Sequence, residues 1–132
     1  MQAILVDHIG IIVRNIQKSL IFYQKALGLQ LEDIEKNEAY HVDIAYLRCG
    51  DTLIELLQPT GEGSFKDILD KKGEGLHHIA FRTNNINEAL GELKKMGIPL
   101  ADKTPKTGGG GAMIAFVEAD AANNVSIELI ER

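Results

Sequence analysis

Tryptophan is absent from this 132-residue chain, and four Phe and three Tyr are its whole aromatic complement. A core built from it must therefore be aliphatic. A single cysteine, Cys49, forbids an intrachain disulfide and fits a reducing compartment. Basic residues are in the minority: 14 Lys and Arg stand against 19 Asp and Glu, a net charge of −5. That balance excludes a nucleic-acid binder, which needs a basic face to neutralise phosphates. Long apolar runs are missing too. The longest, Ile9 to Val13, falls far short of the ~20 residues that a membrane span requires. The opening residues, Met1-Gln2-Ala3-Ile4-Leu5, show neither the basic nor the long apolar region of a secretory signal. The expected setting is the cytoplasm, with no membrane and no nucleic-acid partner. The chain is also too short for an α/β barrel, which takes ~250 residues. What remains is 45% apolar and 25% charged, the composition of one soluble globular domain, residues 1–132.

That domain carries an internal repeat, the feature to seek before any motif. His8-Ile9, Asn15-Ile16, Leu20 and Lys25 recur as His78-Ile79, Asn85-Ile86, Leu90 and Lys95, at an offset of 70 residues. The halves close alike, with Ile54-Glu55-Leu56 matching Ile127-Glu128-Leu129 at an offset of 73. The three extra residues are expected near Gly108–Gly111. In each half a short β-branched run reads as a strand, Val6 to Val13 and His77 to Thr83. An asparagine follows as helix N-cap, Asn15 or Asn85, its side-chain oxygen free to accept a backbone N–H. Ile16, Leu20, Tyr23 and Leu27 then mark one helical face, and Ile86, Leu90 and Leu93 another. Gly28 and Gly97 are the stops. Three strands follow each helix, near Gln30–Ile34, Val42–Leu47 and Thr52–Leu57, then near Leu100–Asp102, Ala112–Val117 and Val125–Ile130. The prediction is two β-α-β-β-β modules, about 4–58 and 76–132. They are joined by a linker at about 59–75, in which Phe65, Ile68 and Leu69 mark a short helix.

The repeat keeps polar residues inside apolar strands, where unpaired burial is costly. Strand alternation puts Ile54 and Leu56 on one face and Glu55 on the other, and it separates Ile127 and Leu129 from Glu128 in the same way. If the apolar pairs pack on the helices, both glutamates point to the opposite, concave face. His8 and His78 open their strands and can reach that space. Two imidazoles and two carboxylates suit a divalent transition ion and neutralise its charge. On a six-coordinate ion they leave two sites open for a bidentate substrate. His78 is preferred over His77 because it precedes Ile79 as His8 precedes Ile9. His41 and His77 read as structural. Gly108–Gly111 reads equally as an anion cradle or as a plain loop. Lys71, Lys72, Lys103 and Lys106 are either phosphate contacts or ordinary surface.

Several stretches resemble the vicinal oxygen chelate (glyoxalase/bleomycin resistance/dioxygenase) superfamily. They are Asp7-His8-Ile9-Gly10-Ile11, Phe22-Tyr23 with Leu27-Gly28-Leu29, and Gly50-Asp51-Thr52 leading to Ile54-Glu55-Leu56-Leu57. Lys72-Gly73-Glu74-Gly75-Leu76-His77-His78-Ile79-Ala80-Phe81 and the closing Ile127-Glu128-Leu129 complete the match. Within that superfamily the likeness is strongest to the methylmalonyl-CoA epimerases. The resemblance implies an α+β fold, a cupped, partly closed mixed sheet around a metal, and a homodimer. It implies metal ligands at His8, Glu55, His78 and Glu128, with cobalt, nickel, zinc or manganese as the ion. The implied activity moves the α-proton of an acyl-CoA or other thioester through an enolate, with Glu128 and Glu55 as acid/base groups. Some epimerases carry a further base on the strand before Glu55. Here that strand reads Val42-Asp43-Ile44-Ala45-Tyr46, and Asp43 is one position off. Two alternatives share the fold: a glyoxalase I-type lyase and a metal-free binding or resistance protein.

Overall fold

In the computed structural model, which describes all 132 residues, both predicted caps are made. Asn15 Oδ1 accepts from Lys18 N at 2.9 Å, and Asn85 Oδ1 accepts from Glu88 N at 3.0 Å. Each helix start is held a second time by a residue just past the Ile-Glu-Leu close of its own half. Gln58 Oε1 accepts from Ile16 N and Glu131 Oε1 accepts from Ile86 N, both at 2.8 Å. Gly28 and Gly97 end the two helical segments in left-handed conformations, φ +77° and +76°, which other residues adopt at a cost.

The chain forms two compact units, Ile9–His77 and Met1–His8 with His78–Arg132. Strand β1, Val6–Ile12, contributes to both. The contiguous unit contains α1, Ile16–Leu20, followed by a π-helical turn, Ile21–Ala26. Strands β2 (Gln30–Asn37), β3 (Val42–Cys49) and β4 (Thr52–Pro59) then form an antiparallel meander. Helix α2, Ser64–Lys72, is the helix expected within the linker. One face of the meander buries Ala45, Leu47 and Leu56 with Ile16 and Leu20 of α1. On its other face Val42, Ile44 and Leu57 gather Phe65, Ile68 and Leu69 of α2.

The second unit contains β5 (Gly75–Arg82, from His78 on), α3 (Ile86–Lys95), β6 (Lys106–Thr107), β7 (Met113–Val117) and β8 (Ile127–Glu131). Strand β5 runs parallel to β8, and β8–β7–β6 are antiparallel, so the sheet is mixed. Ala115 and Leu129 pack against Ile86, Ala89 and Leu90 of α3, while Ala80, Ala112, Ile114 and Ile130 form a second cluster. The element order is thus β-α-β-β-β twice, with α2 between, and the class is α+β. No helix is long and apolar enough to cross a membrane.

Two local expectations are corrected. The helical face Ile16-Leu20-Tyr23-Leu27 holds through Tyr23, which packs with Ile16 and Leu20, and breaks at Leu27. The bond from Leu27 N to Phe22 O spans five residues, which inserts an extra residue into the turn and rotates Leu27 outward, 55% exposed. The strand expected at Leu100–Asp102 is a single bridge, Leu100 to Val117. Ala101 N and Asp102 N both donate to Phe116 O, and Asp102 Oδ2 accepts from Phe116 N at 2.8 Å. A carboxylate has taken a carbonyl's place in the ladder, and regular pairing resumes only at β6. The glycine tract Gly108–Gly111 forms a tight turn closed by Gly108 N donating to Ala112 O at 2.8 Å.

Candidate metal centre

Three of the residues singled out by the repeat meet inside the second unit. His8 comes from the start of β1, His78 from β5 and Glu128 from β8, and all three are buried. The parallel register places Ala80 beside Glu128, so His78, two residues before Ala80, shares the face of Glu128. Leu129 turns to α3, as the alternation requires. The imidazoles meet edge to face, with centroids 5.0 Å apart and their Nε2 atoms 3.0 Å apart. Glu128 Oε2 lies 3.1 Å from His8 Nε2, and its Oε1 lies 3.7 Å from His78 Nε2.

The protonation of His8 follows from its neighbour. His8 Nδ1 lies 2.8 Å from Asp7 Oδ2, so Nδ1 carries the donated hydrogen and a neutral ring turns a lone pair inward on Nε2. The short approach of Glu128 Oε2 then sets one lone pair against another. Consistent with this, Glu128 Oε2 is buried without a hydrogen-bond partner. An orphaned buried acceptor costs about 1–3 kcal/mol. A divalent cation satisfies an imidazole lone pair and a carboxylate oxygen together, so the donor set fits such an ion.

Asp7 is fully buried at the centre of a charged cluster. Arg82 Nε donates to its Oδ1 at 2.9 Å, and Arg132 reaches both carboxylate oxygens, Nε to Oδ1 and Nη2 to Oδ2, at 2.9 Å each. Burial pushes the Asp7 carboxyl up, but hydrogen bonds from His8, Arg132 and Arg82, with the charge of Arg132, outweigh it and hold the group well below its usual range. A permanently ionised carboxylate behind a histidine is the arrangement that fixes ring orientation in metal sites.

A family model described as the Glyoxalase/Bleomycin resistance protein/Dioxygenase superfamily matches residues 7–116. The chain belongs to this superfamily. Among its relatives is the uncharacterized protein YqjC of Bacillus subtilis, 39% identical over 126 residues, covering 95% of this chain and 90% of that protein. Another is the mitochondrial methylmalonyl-CoA epimerase of Homo sapiens, 32% identical over 125 residues, covering 93% of this chain and 71% of that protein. A Streptomyces coelicolor methylmalonyl-CoA epimerase variant, solved in complex with 2-nitronate-propionyl-CoA, superimposes with a TM-score of 0.90 at 28% identity, covering 98% of each chain.

The other residues considered in this superfamily member fall as follows. Glu55 is buried on β4 of the contiguous unit, sharing a face with Leu53 and Leu57, while Leu56 packs against α1. Its cross-strand neighbour is Tyr46. Asp43 pairs with Gln58, in the set that includes Ala45, Leu47 and Leu56, so it lies on the opposite face from Glu55. His77 lies against Phe65 of α2, the ring centroids 5.1 Å apart and the planes tilted by 46°, and burial, followed by the charge of Lys72, lowers its pKa to about 4. Lys106 pairs with Asp102 at 3.2 Å. The role of Asp7 was not read from the sequence. Its one local signal is adjacency to His8, since Arg82 and Arg132 lie 75 and 125 residues away.

Proposed function

We propose that this chain is a metal-dependent epimerase acting on an acyl-CoA thioester of the methylmalonyl-CoA type. In this reading His8, Glu55, His78 and Glu128 hold one divalent cation, drawn from cobalt, nickel, zinc or manganese. The observation that carries it is the convergence of two imidazole Nε2 atoms on a buried carboxylate with one oxygen left unpartnered. Glu55 joins the set by repeat equivalence: it is the buried glutamate of the matching Ile-Glu-Leu close. The substrate class is supported by the named activity of the human relative and by the acyl-CoA analogue in the Streptomyces structure.

A cation bound there supplies Lewis acidity, which favours the enolate form of a carbonyl compound. The protein's own contribution is to place carboxylates beside the carbon next to the thioester carbonyl. One carboxylate removes the α-proton and a second returns a proton to the opposite side. Glu128 is one such group and Glu55 is the repeat-related candidate for the other. Asp7 keeps His8 in one tautomer, so that its Nε2 remains a donor of electrons rather than of a proton.

Proton NMR in deuterium oxide tests the reading. With one of the four metals present, the α-hydrogen of methylmalonyl-CoA exchanges with solvent. Failure with all four refutes an epimerase. Formation of a thioester from a thiol–methylglyoxal hemithioacetal, followed by absorbance, would instead assign the lyase. The reading includes a homodimer working in the cytoplasm, and light scattering on purified protein checks the dimer.

A further inference from the structure

The internal repeat departs from itself at one position beside the candidate ligands. In each half, strand alternation gives the glutamate two companions on its own face. In the contiguous unit they are Leu53 and Leu57, both buried, on either side of Glu55. The matching positions around Glu128, at the same offset of 73, are Ser126 and Ile130. Ile130 keeps the apolar character of Leu57 and is likewise buried. Ser126 does not keep that of Leu53. Where one half has only hydrocarbon, the other presents an O–H group that can donate a hydrogen bond.

Ser126 is held in place by the sheet of its unit. Ile79 N donates to Ser126 O at 3.1 Å, which continues the parallel pairing of Ile79 with Ile127 and sets Ser126 beside His78. On the other side of β8, the last pair with β7 is Val117 to Ile127, so Ser126 stands one residue beyond it. It is half-buried, and its hydroxyl makes no hydrogen bond within the protein. Glu128 follows two residues on, ~7 Å along the chain. Past Glu128 the same face is apolar, because Ile130 packs with Ala80 and Ile114. Along this strand the order is therefore hydroxyl, carboxylate, hydrocarbon.

A methylmalonyl thioester carries three different groups on its reacting carbon besides the carbonyl: an ionised carboxylate, a hydrogen and a methyl. Epimerisation moves only the hydrogen from one side to the other, so the carboxylate and the methyl have to be held meanwhile. A carboxylate brought next to Glu128 loses water and needs a donor in its place. We propose that Ser126 is a specificity-determining residue, whose hydroxyl donates to the free carboxylate of a 2-carboxyacyl thioester while the methyl turns towards Ala80, Ile114 and Ile130. This assignment rests on the epimerase reading above. Ser126 exchanges no proton with the substrate. Its effect is to favour a malonyl-type substrate over a plain acyl thioester, which has no acceptor to offer at that point.

Calorimetry on the cobalt-loaded protein tests this with malonyl-CoA and propionyl-CoA, the first carrying a carboxylate where the second carries a methyl. Wild type should bind malonyl-CoA more tightly. Ser126→Ala should weaken malonyl-CoA binding about 10- to 100-fold, the range for a lost hydrogen bond to a charged group, and leave propionyl-CoA binding as it was. Its cobalt stoichiometry and urea midpoint should match wild type, since the hydroxyl has no partner in the protein. Ser126→Thr keeps the hydroxyl and should keep the preference. In α-hydrogen exchange of methylmalonyl-CoA, Ser126→Ala should raise KM more than it lowers kcat. An unchanged ratio of the two affinities in Ser126→Ala, whether both fall or neither does, overturns the proposal and leaves the epimerase reading standing. A wild-type protein that exchanges no α-hydrogen with any of the four metals overturns the epimerase reading, and this proposal with it.

Discussion

Replacing Asp7 separates two effects that the structure assigns to one side chain. Asp7→Ala leaves the Arg82 and Arg132 guanidiniums and the Nδ1–H of His8 without their shared acceptor. Removing one partner from a buried ion pair typically costs 3–5 kcal/mol. The Arg82 and Arg132 side chains are 34% and 32% exposed, so water partly replaces the carboxylate. That places the expected loss near the lower end, about 3 kcal/mol. Asp7→Asn keeps the shape and one acceptor but sets an NH2 group against other donors, for a loss of about 1–3 kcal/mol. Urea unfolding with linear extrapolation reads both, and an unchanged slope shows that the effect is on stability. The pH dependence has a definite sign. A carboxyl held below its ordinary value of 3.8 stabilises the fold above that pH, and the contribution fades as pH falls below it. Wild type and Asp7→Asn should therefore converge in strongly acid solution. With the fold intact, Asp7→Asn should also weaken cobalt binding about 10–100-fold, because His8 loses the group that fixes its ring. A loss below 1 kcal/mol in Asp7→Ala would refute the cluster's role in stability. Wild-type cobalt affinity in Asp7→Asn would refute the orienting role.

Three further outcomes are expected. Glu128→Gln should leave the metal-free protein as stable as wild type or more so, since an amide can donate to the His8 lone pair, and it should abolish the rise in Tm expected of wild type with added cobalt. Asn85→Ala should cost about 1 kcal/mol in denaturant unfolding, with a smaller loss if the second bond, Glu131 to Ile86 N, carries more of the capping. His77, held neutral with its pKa lowered to about 4, should make stability decline as pH falls from about 6.5 towards 4, and His77→Gln should flatten that limb in urea titrations at successive pH values.

The repeat made much of the fold legible. The matched Asn-Ile pairs located both helix starts, and the alternation around Ile-Glu-Leu placed Leu56 and Leu129 against the helices. The second position after that close was equally regular yet hidden, because Gln58 and Glu131 differ in identity while doing the same job. The π-helical turn stayed invisible because Leu27 fits the helical period, and a single inserted residue is a property of backbone bonding. Leu100–Asp102 looked like a strand because composition does not reveal that Asp102 turns back to cap Phe116 N. At the site, the paired histidines and glutamates stood out by recurrence. Asp7 has no counterpart in the other half, and what defines it are partners distant in sequence, Arg82 and Arg132.

The division of the chain into one contiguous and one discontinuous unit bears on synthesis at the ribosome. Residues Ile9–His77 hold all the segments of their own unit, and these emerge in a single stretch. Met1–His8 emerge before that unit but belong with His78–Arg132, so they wait through the translation of an entire intervening unit. At ~5–20 residues per second that interval lasts several seconds. During it, Asp7 lacks Arg82 and Arg132, and His8 lacks His78 and Glu128. The closing of that long loop carries an entropy cost that the contiguous unit never meets. Charge cluster and candidate ligands therefore assemble together and late, and in a nascent chain the candidate ligands His8, His78 and Glu128 come together only once β8 has docked.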